Sequence, residues 1–237
     1  MRLFRLHSLA SENHTNWVID TINSSSFHCS SFAAFNDPME GVFRTNSITD
    51  LENLTSQKNK FKACCFTDIY GVKNPALWGY YAGSFRGVAF EVLPANDHIY
   101  KIDYANEIPS IPDTDDESLK KALTTKLKPW KHEREFRFIN KTEEEKNKIG
   151  EIVALHCFIP YSEVENRDQI HKSSDSIQSY LKNLSRLESE VGENTPIYVA
   201  GYDHRMNRIK LTKNHLRHNN ACERDAEFAS LSQHPST

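Results

Sequence analysis

No run of about 18 apolar residues occurs anywhere in the chain, so no segment is expected to cross a membrane. The opening MRLFRLHSLAS lacks the roughly 7–15-residue apolar core of a secretory signal, and the expected location is the cytoplasm, with no membrane partner. Neither sign of charge is in excess: 29 Lys and Arg face 32 Asp and Glu, for a formal net charge of -3 and a pI near 6.4. That excludes a general attraction for nucleic acid or anionic membrane, though it permits a local basic patch. Cysteine is present without the order of a disulfide framework. The five residues Cys29, Cys64, Cys65, Cys157 and Cys222 are odd in number, include an adjacent pair and contain no CxxC, which implies a reducing compartment. The histidines form no HExxH and no short ligand spacing, so no metal site is assigned. No internal repeat is visible.

What remains is a globular composition over 237 residues, enough for a substantial core. Residues 2–9 alternate as a strand, and a helix capped by Ser11 or Asn13 follows, with Trp17, Val18 and Ile22 on one face. The run Ser24-Ser25-Ser26 ends it before a strand over 27–32. A turn at 35–41, a helix over 47–58, a strand over 62–67 and a short aromatic helix over 74–83 come next. The clearest strand, 86–92, is expected to pair as a hairpin with 98–104. Residues 107–118 read as a proline- and acid-containing loop, 123–128 as a helix end before Pro129, and 151–158 as a strand closed by Pro160-Tyr161. The best helix spans 173–191, capped by Ser174 or Asp175, and strands at 196–202 and 208–211 close the domain. The fold class is α+β, with a mixed, mainly antiparallel sheet, continuous or split, flanked by helices. One domain is expected over 1–213, followed by a polar, disordered tail over 214–237.

The most informative stretch is Trp-Lys-His-Glu-Arg-Glu-Phe-Arg at 130–137. As an extended strand it would put Glu133, Glu135 and Arg137 on one face and Arg134, Phe136 and Phe138 on the other. Two carboxylates and a guanidinium facing a cleft could hold and polarise a ligand; on a solvated face they would be ordinary surface charges.

Four phrases, FNDPMEG at 35–41, CCFT at 64–67, LWGYYAGSFRGVAFEV at 77–92 and KLKPWKHEREFRF at 126–138, occur in an order that resembles the bacterial family called domain of unknown function 2971. The chain departs from that pattern at Tyr80 and Phe85, where the family has His. More distantly, it resembles ADP-ribosyltransferase-like folds, in which an early strand gives an Arg, a second strand serines and a late strand Glu-x-Glu around a split sheet. That resemblance implies Arg5 on the NAD phosphates, Ser30 and Ser31 supporting the site, Glu135 as the catalytic carboxylate and Glu133 as the residue that positions the acceptor. Trp78 or Tyr81 would stack on nicotinamide and Arg137 would assist binding. NAD would be the substrate, the ligand class a nucleotide or dinucleotide, the acceptor a protein or nucleic acid, and the setting a bacterial toxin or phage-defence component.

Blander roles fit the same residues: Arg137 as a structural partner of Glu133 or Glu135, and Trp78, Tyr80 and Tyr81 as core. A rival function is a metal-dependent nuclease or phosphodiesterase, with Asp37, Glu40, Glu133 and Glu135 as Mg²⁺ ligands and Lys126 or Arg137 on the phosphate. A third is a non-enzymatic nucleotide-binding module.

Overall fold

A serine turns the chain from its first strand into its first helix. In the computed structural model, which describes residues 1–159 except 36, 38 and 96, together with 175–192 and 195–216, β1 (Leu3–Ser8) leads directly into α1 (Glu12–Ser24). The Ser11 hydroxyl accepts the backbone N–H of His14, satisfying one of the donors left open at a helix start. The expected strand over 27–32 is broken into β2 (Phe27–His28) and β3 (Ser30–Ser31), because the Cys29 N–H turns away to the Glu145 carbonyl. There follow α2 (Ile48–Lys58), capped by Ser47, β4 (Phe61–Thr67), α3 (Pro75–Tyr81), β5 (Gly87–Pro94), β6 (Ile99–Lys101), β7 (Asp103–Ala105), α4 (Asp116–Leu123) and β8 (Thr125–Leu127). The remaining elements are β9 (Glu135–Lys141), β10 (Lys146–Asn147), β11 (Gly150–Phe158), α5 (Asp175–Glu190), β12 (Ile197–Asp203) and β13 (Arg208–His215).

The main sheet runs β13-β12-β11-β5-β1-β4-β9-β6, antiparallel except for the parallel pair β11 and β12. The fold is therefore α+β with a mixed, mostly antiparallel sheet flanked by helices, as expected. Its pairing is uneven. β1 and β5 share six paired positions, from Leu3 with Val92 to Ser8 with Gly87, whereas β1 and β4 share only Phe4 with Thr67. One edge of β4 is fully taken by β9. On the other, β3 pairs with Ala63 and Lys62 and β1 with Thr67, so Cys64, Cys65 and Phe66 have no strand partner there. The sheet has a gap between its two halves.

The core follows this division. Alternation along β5 sends Val88, Phe90 and Val92 to the face covered by α1 and α5, and Ala89 to the other. That other face carries two separate apolar clusters. One joins Trp78 and Ala82 to Phe4 and Ala89, and the second joins Leu54, Leu119 and Leu123 to Phe61, Ala63 and Ile139. The gap lies between them. No helix among the described residues is long and apolar enough to cross a membrane.

Several local expectations are corrected. β6 pairs with β9 instead of β5, because both edges of β5 are occupied by β1 and β11. The helix placed at 123–128 lies earlier, at Asp116–Leu123, beginning within the last residues of the loop expected over 107–118, and Thr125–Leu127 is strand. The stretch 130–137 is not one strand: after Pro129 the chain coils in a 3₁₀ turn through Glu133, Arg134 adopts a left-handed φ of 50°, and β9 begins at Glu135. β13 runs to His215, and Leu216 packs in the core beyond the expected domain end. Pro160-Tyr161, the proposed cap Ser174, Cys222 and the tail from 217 lie outside the described residues.

Gly83 ends α3 with a left-handed φ of 58°, and a Cβ there would meet the Ser8 hydroxyl oxygen at 2.4 Å. Gly83→Ala is expected to cost about 1–3 kcal/mol, combining backbone strain with displacement of Ser8. Denaturant unfolding measures it; a loss below about 0.5 kcal/mol would contradict the close approach.

Candidate functional site

Arg5 lies in the middle of β1, opposite the unpartnered edge of β4. Its Nη1 reaches across the gap to donate to the Cys65 carbonyl at 3.3 Å and lies 2.6 Å from Cys64 Sγ. The side chain thus satisfies a backbone acceptor that no strand reaches. A cavity of about 400 Å³ opens at this gap. Phe4 and Leu6 of β1 and Ala63, Cys65 and Thr67 of β4 give it a largely apolar floor, to which Phe35 and Trp130 add aromatic surface.

Opposite Arg5 the wall is charged. Lys126, on β8, places Nζ 2.8 Å from Glu40, 2.6 Å from Glu133 and 3.1 Å from Glu135. Behind them Arg137 donates through Nε at 2.8 Å and Nη2 at 2.6 Å to one oxygen of Glu135, through Nη2 to Glu40 at 3.0 Å, and through Nη1 to the Leu123 carbonyl at 2.7 Å. Its guanidinium also stacks 5.5 Å from the Phe32 ring centre and 5.3 Å from that of Phe35. Three buried carboxylates therefore share two buried cations, a formal charge of -1 when all are ionised.

The electrostatics give these carboxylates different characters. Burial works to raise Glu135, but Arg137 and Lys126 outweigh it and hold the group below the usual carboxylate range. Glu40 moves the other way, raised chiefly by burial and further by the charge of Glu135, against the pull of Arg137. For Lys126 and Arg137 burial works downward, yet the surrounding carboxylates raise both, so both stay charged. Tyr81 is pushed up by burial and by its hydrogen bond to Glu133, so the phenol keeps its proton and donates it to that carboxylate. Tyr104, raised to about 12 chiefly by burial, accepts the backbone N–H of Glu135 at 2.9 Å.

Of the residues singled out in the sequence, Arg5, Ser30, Tyr81, Glu133 and Glu135 line this one cavity, as do Asp37 and Glu40. Glu133 reaches it from the 3₁₀ turn and Glu135 from the start of β9; the left-handed Arg134 between them lets both turn inward while its own side chain pairs outside with Asp68. Ser31 is not in the lining, in keeping with strand alternation after Ser30. Trp78 is 0 % exposed and donates its indole N–H to the Val72 carbonyl, so it is core and offers no stacking face. Arg137 is likewise 0 % exposed and sits behind Glu135 and Glu40, holding them in place without reaching the cavity. Trp130 is the aromatic wall that sequence reasoning missed, and Lys126, named there only for the rival chemistry, is the centre of the cluster.

Arg137→Leu would leave two buried carboxylates without their main partner and is expected to cost about 3–5 kcal/mol in denaturant unfolding. A Lys126→Met variant tests the charge balance by its pH dependence. In the native protein the low folded pKa of Glu135 contributes stability that is present above the unfolded value, about 4.3, and is lost as pH falls through the folded one. Removing Lys126 raises the folded pKa values of Glu40 and Glu135, so the variant loses stability as pH rises from the acid range. Its deficit against the native chain should be larger at about pH 8 than at about pH 5; an equal deficit would show that Lys126 does not hold these carboxylates ionised.

No model of a protein family, no curated protein and no solved structure matches the chain, and the chemistry of the site is read from its own residues.

Proposed function

We propose that the cavity binds NAD and breaks its nicotinamide–ribose bond, passing ADP-ribose to water or to an acceptor group. The observation that carries this reading is the meeting of Arg5, Ser30, Tyr81, Glu133 and Glu135 at the gap in the sheet, although they are far apart in sequence. The order of motif phrases, with its resemblance to the domain of unknown function 2971 and to ADP-ribosyltransferase-like sites, supports it. A cavity of about 400 Å³ with an apolar floor and a few convergent polar groups is of the size that small ligands use.

In this reading Arg5 uses Nη1 on the β4 edge and turns its remaining guanidinium donors to the pyrophosphate. The Glu135 carboxylate, kept ionised by Arg137 and Lys126, stands against the ribose and stabilises the positive charge that grows on C1 as the C1–N bond breaks. Nicotinamide leaves with the bonding electron pair, and water or the acceptor attacks C1. Glu133, steadied by Tyr81 and Lys126, orients the attacking group and receives its proton. Such chemistry would act on cytoplasmic NAD and would suit a toxin or phage-defence component.

The metal-dependent rival does not fit the donors. Lys126 Nζ already occupies the point between Glu40, Glu133 and Glu135 where a divalent cation would have to sit.

Glu135→Gln removes charge and keeps shape, and is expected to lower nicotinamide release about 100-fold or more with an unchanged fold. Arg5→Ala should raise KM for NAD about tenfold, the size of one lost charged hydrogen bond. Wild-type release by the Glu135 variant would overturn the assignment. NAD binding with no release by the native chain would leave a nucleotide-binding module, and release abolished by a chelator would restore the metal reading.

A further inference from the structure

Outside the cavity, the 3₁₀ turn Lys128–Glu133 presents a surface that the cavity chemistry does not use. Tyr80, on α3, is 61 % exposed. Its ring meets that of His132 at 6.2 Å between centres, and His132 stacks on Trp130 at 6.1 Å with planes 28° apart. The three rings form a row at the cavity rim, where Trp130 itself lines the opening. Next to it, Tyr70 is 69 % exposed beneath the guanidinium of Arg134, 5.0 Å from the ring centre. Lys128 and Lys131 flank the row on the same turn, both exposed and neither with an ion-pair partner among the described residues. Asp68, the carboxylate that pairs with this turn, is engaged by Arg134 through Nε at 2.8 Å and Nη2 at 2.7 Å, and does not neutralise the lysines.

We propose that this rim binds single-stranded nucleic acid, with a base stacked on the exposed Tyr80, which the half-buried His132 and Trp130 brace from behind, and phosphates on Lys128 and Lys131. The exposed rings of Tyr80 and Tyr70 beside the unpaired Lys128 and Lys131 match what a strand offers, since each base has a free π-face and each phosphate a negative charge. A duplex hides its base faces and would lose the stacking half of the interaction. A chain with net charge -3 gives no long-range attraction, so the affinity must come from these local contacts and must weaken with salt. The surface goes beyond the NAD reading and stands whether or not the cavity cleaves NAD.

The test is fluorescence anisotropy of the full chain with labelled oligothymidylate and oligouridylate, titrated from low to physiological salt. Binding of either strand is expected, at least about tenfold tighter than binding of a duplex of equal length. Tyr80→Ser should weaken it about tenfold. Lys128→Gln with Lys131→Gln should flatten the slope of log K against log salt by about 1.4, two phosphates' worth, and Lys128→Arg with Lys131→Arg should restore it. Preference for the deoxy or the ribo strand identifies the natural source. No binding at low salt, or unchanged affinity in both sets of variants at unchanged thermal midpoint, would overturn the proposal. Nicotinamide release is measured on the same samples. Strand binding without release would sink the NAD reading alone, and release without strand binding would sink this one alone.

Discussion

The ammonium of Lys126, held among three carboxylates, is the interaction on which the rest of the site depends. Without it, Glu40 and Glu135 would share Arg137 alone, and Glu133 would lose its ion-pair partner. Like charges at such separations in a poorly hydrated wall would take up protons. Arg137 and, after it, Lys126 keep Glu135 a carboxylate although it is buried, and the two cations together leave the cluster anionic by only one charge. Buried ion pairs are weak evidence for stability, because a well-packed apolar set often does better. Here three such pairs, made by Lys126, stand in a cavity wall with two made by Arg137 behind them, and one carboxylate is lowered while another is raised, the kind of perturbation that functional sites collect.

The architecture explains why the cavity sits where it does. A continuous sheet would satisfy the β4 edge with strand hydrogen bonds and close the space. Here β1 touches β4 at a single pair, β3 takes the far end of the same edge, and the apolar cores of the two sheet halves stop short of each other on one face. Arg5 spans the opening. The charged wall comes from the other side, where a proline-started 3₁₀ turn and a left-handed Arg134 aim Glu133 and Glu135 inward together. Lys128 and Lys131 of that turn are exposed while Trp130 lines the opening, so one segment builds both the cavity wall and its rim.

Much of this was legible in the sequence and some could not be. Alternation and caps marked β1, α1, β4, β5 and α5, because each buries one regular face. The hairpin expected for 98–104 failed because edge occupancy is a property of the whole sheet: β5 was already paired on both sides, a fact no local pattern records. The Glu-x-Glu pair was found for an incomplete reason. A strand would indeed turn both residues to one face, yet Glu133 reaches the cavity from a turn whose left-handed exit at Arg134 carries no glycine to announce it. Trp78 looked like a possible stacking ring, but helical spacing cannot say which aromatic faces the core, and Val72 claims its indole. Lys126 was invisible as the hub because its partners lie at positions 40, 133 and 135, joined only by folding.

The central claim is that the gap between β1 and β4 is a dinucleotide site organised by Arg5 and Glu135. A crystal structure of the protein with a non-cleavable NAD analogue tests it most directly. The account predicts the pyrophosphate within hydrogen-bonding reach of the Arg5 guanidinium and the nicotinamide ribose against Glu135. An analogue bound elsewhere, or a cavity left empty at saturating analogue, would contradict it.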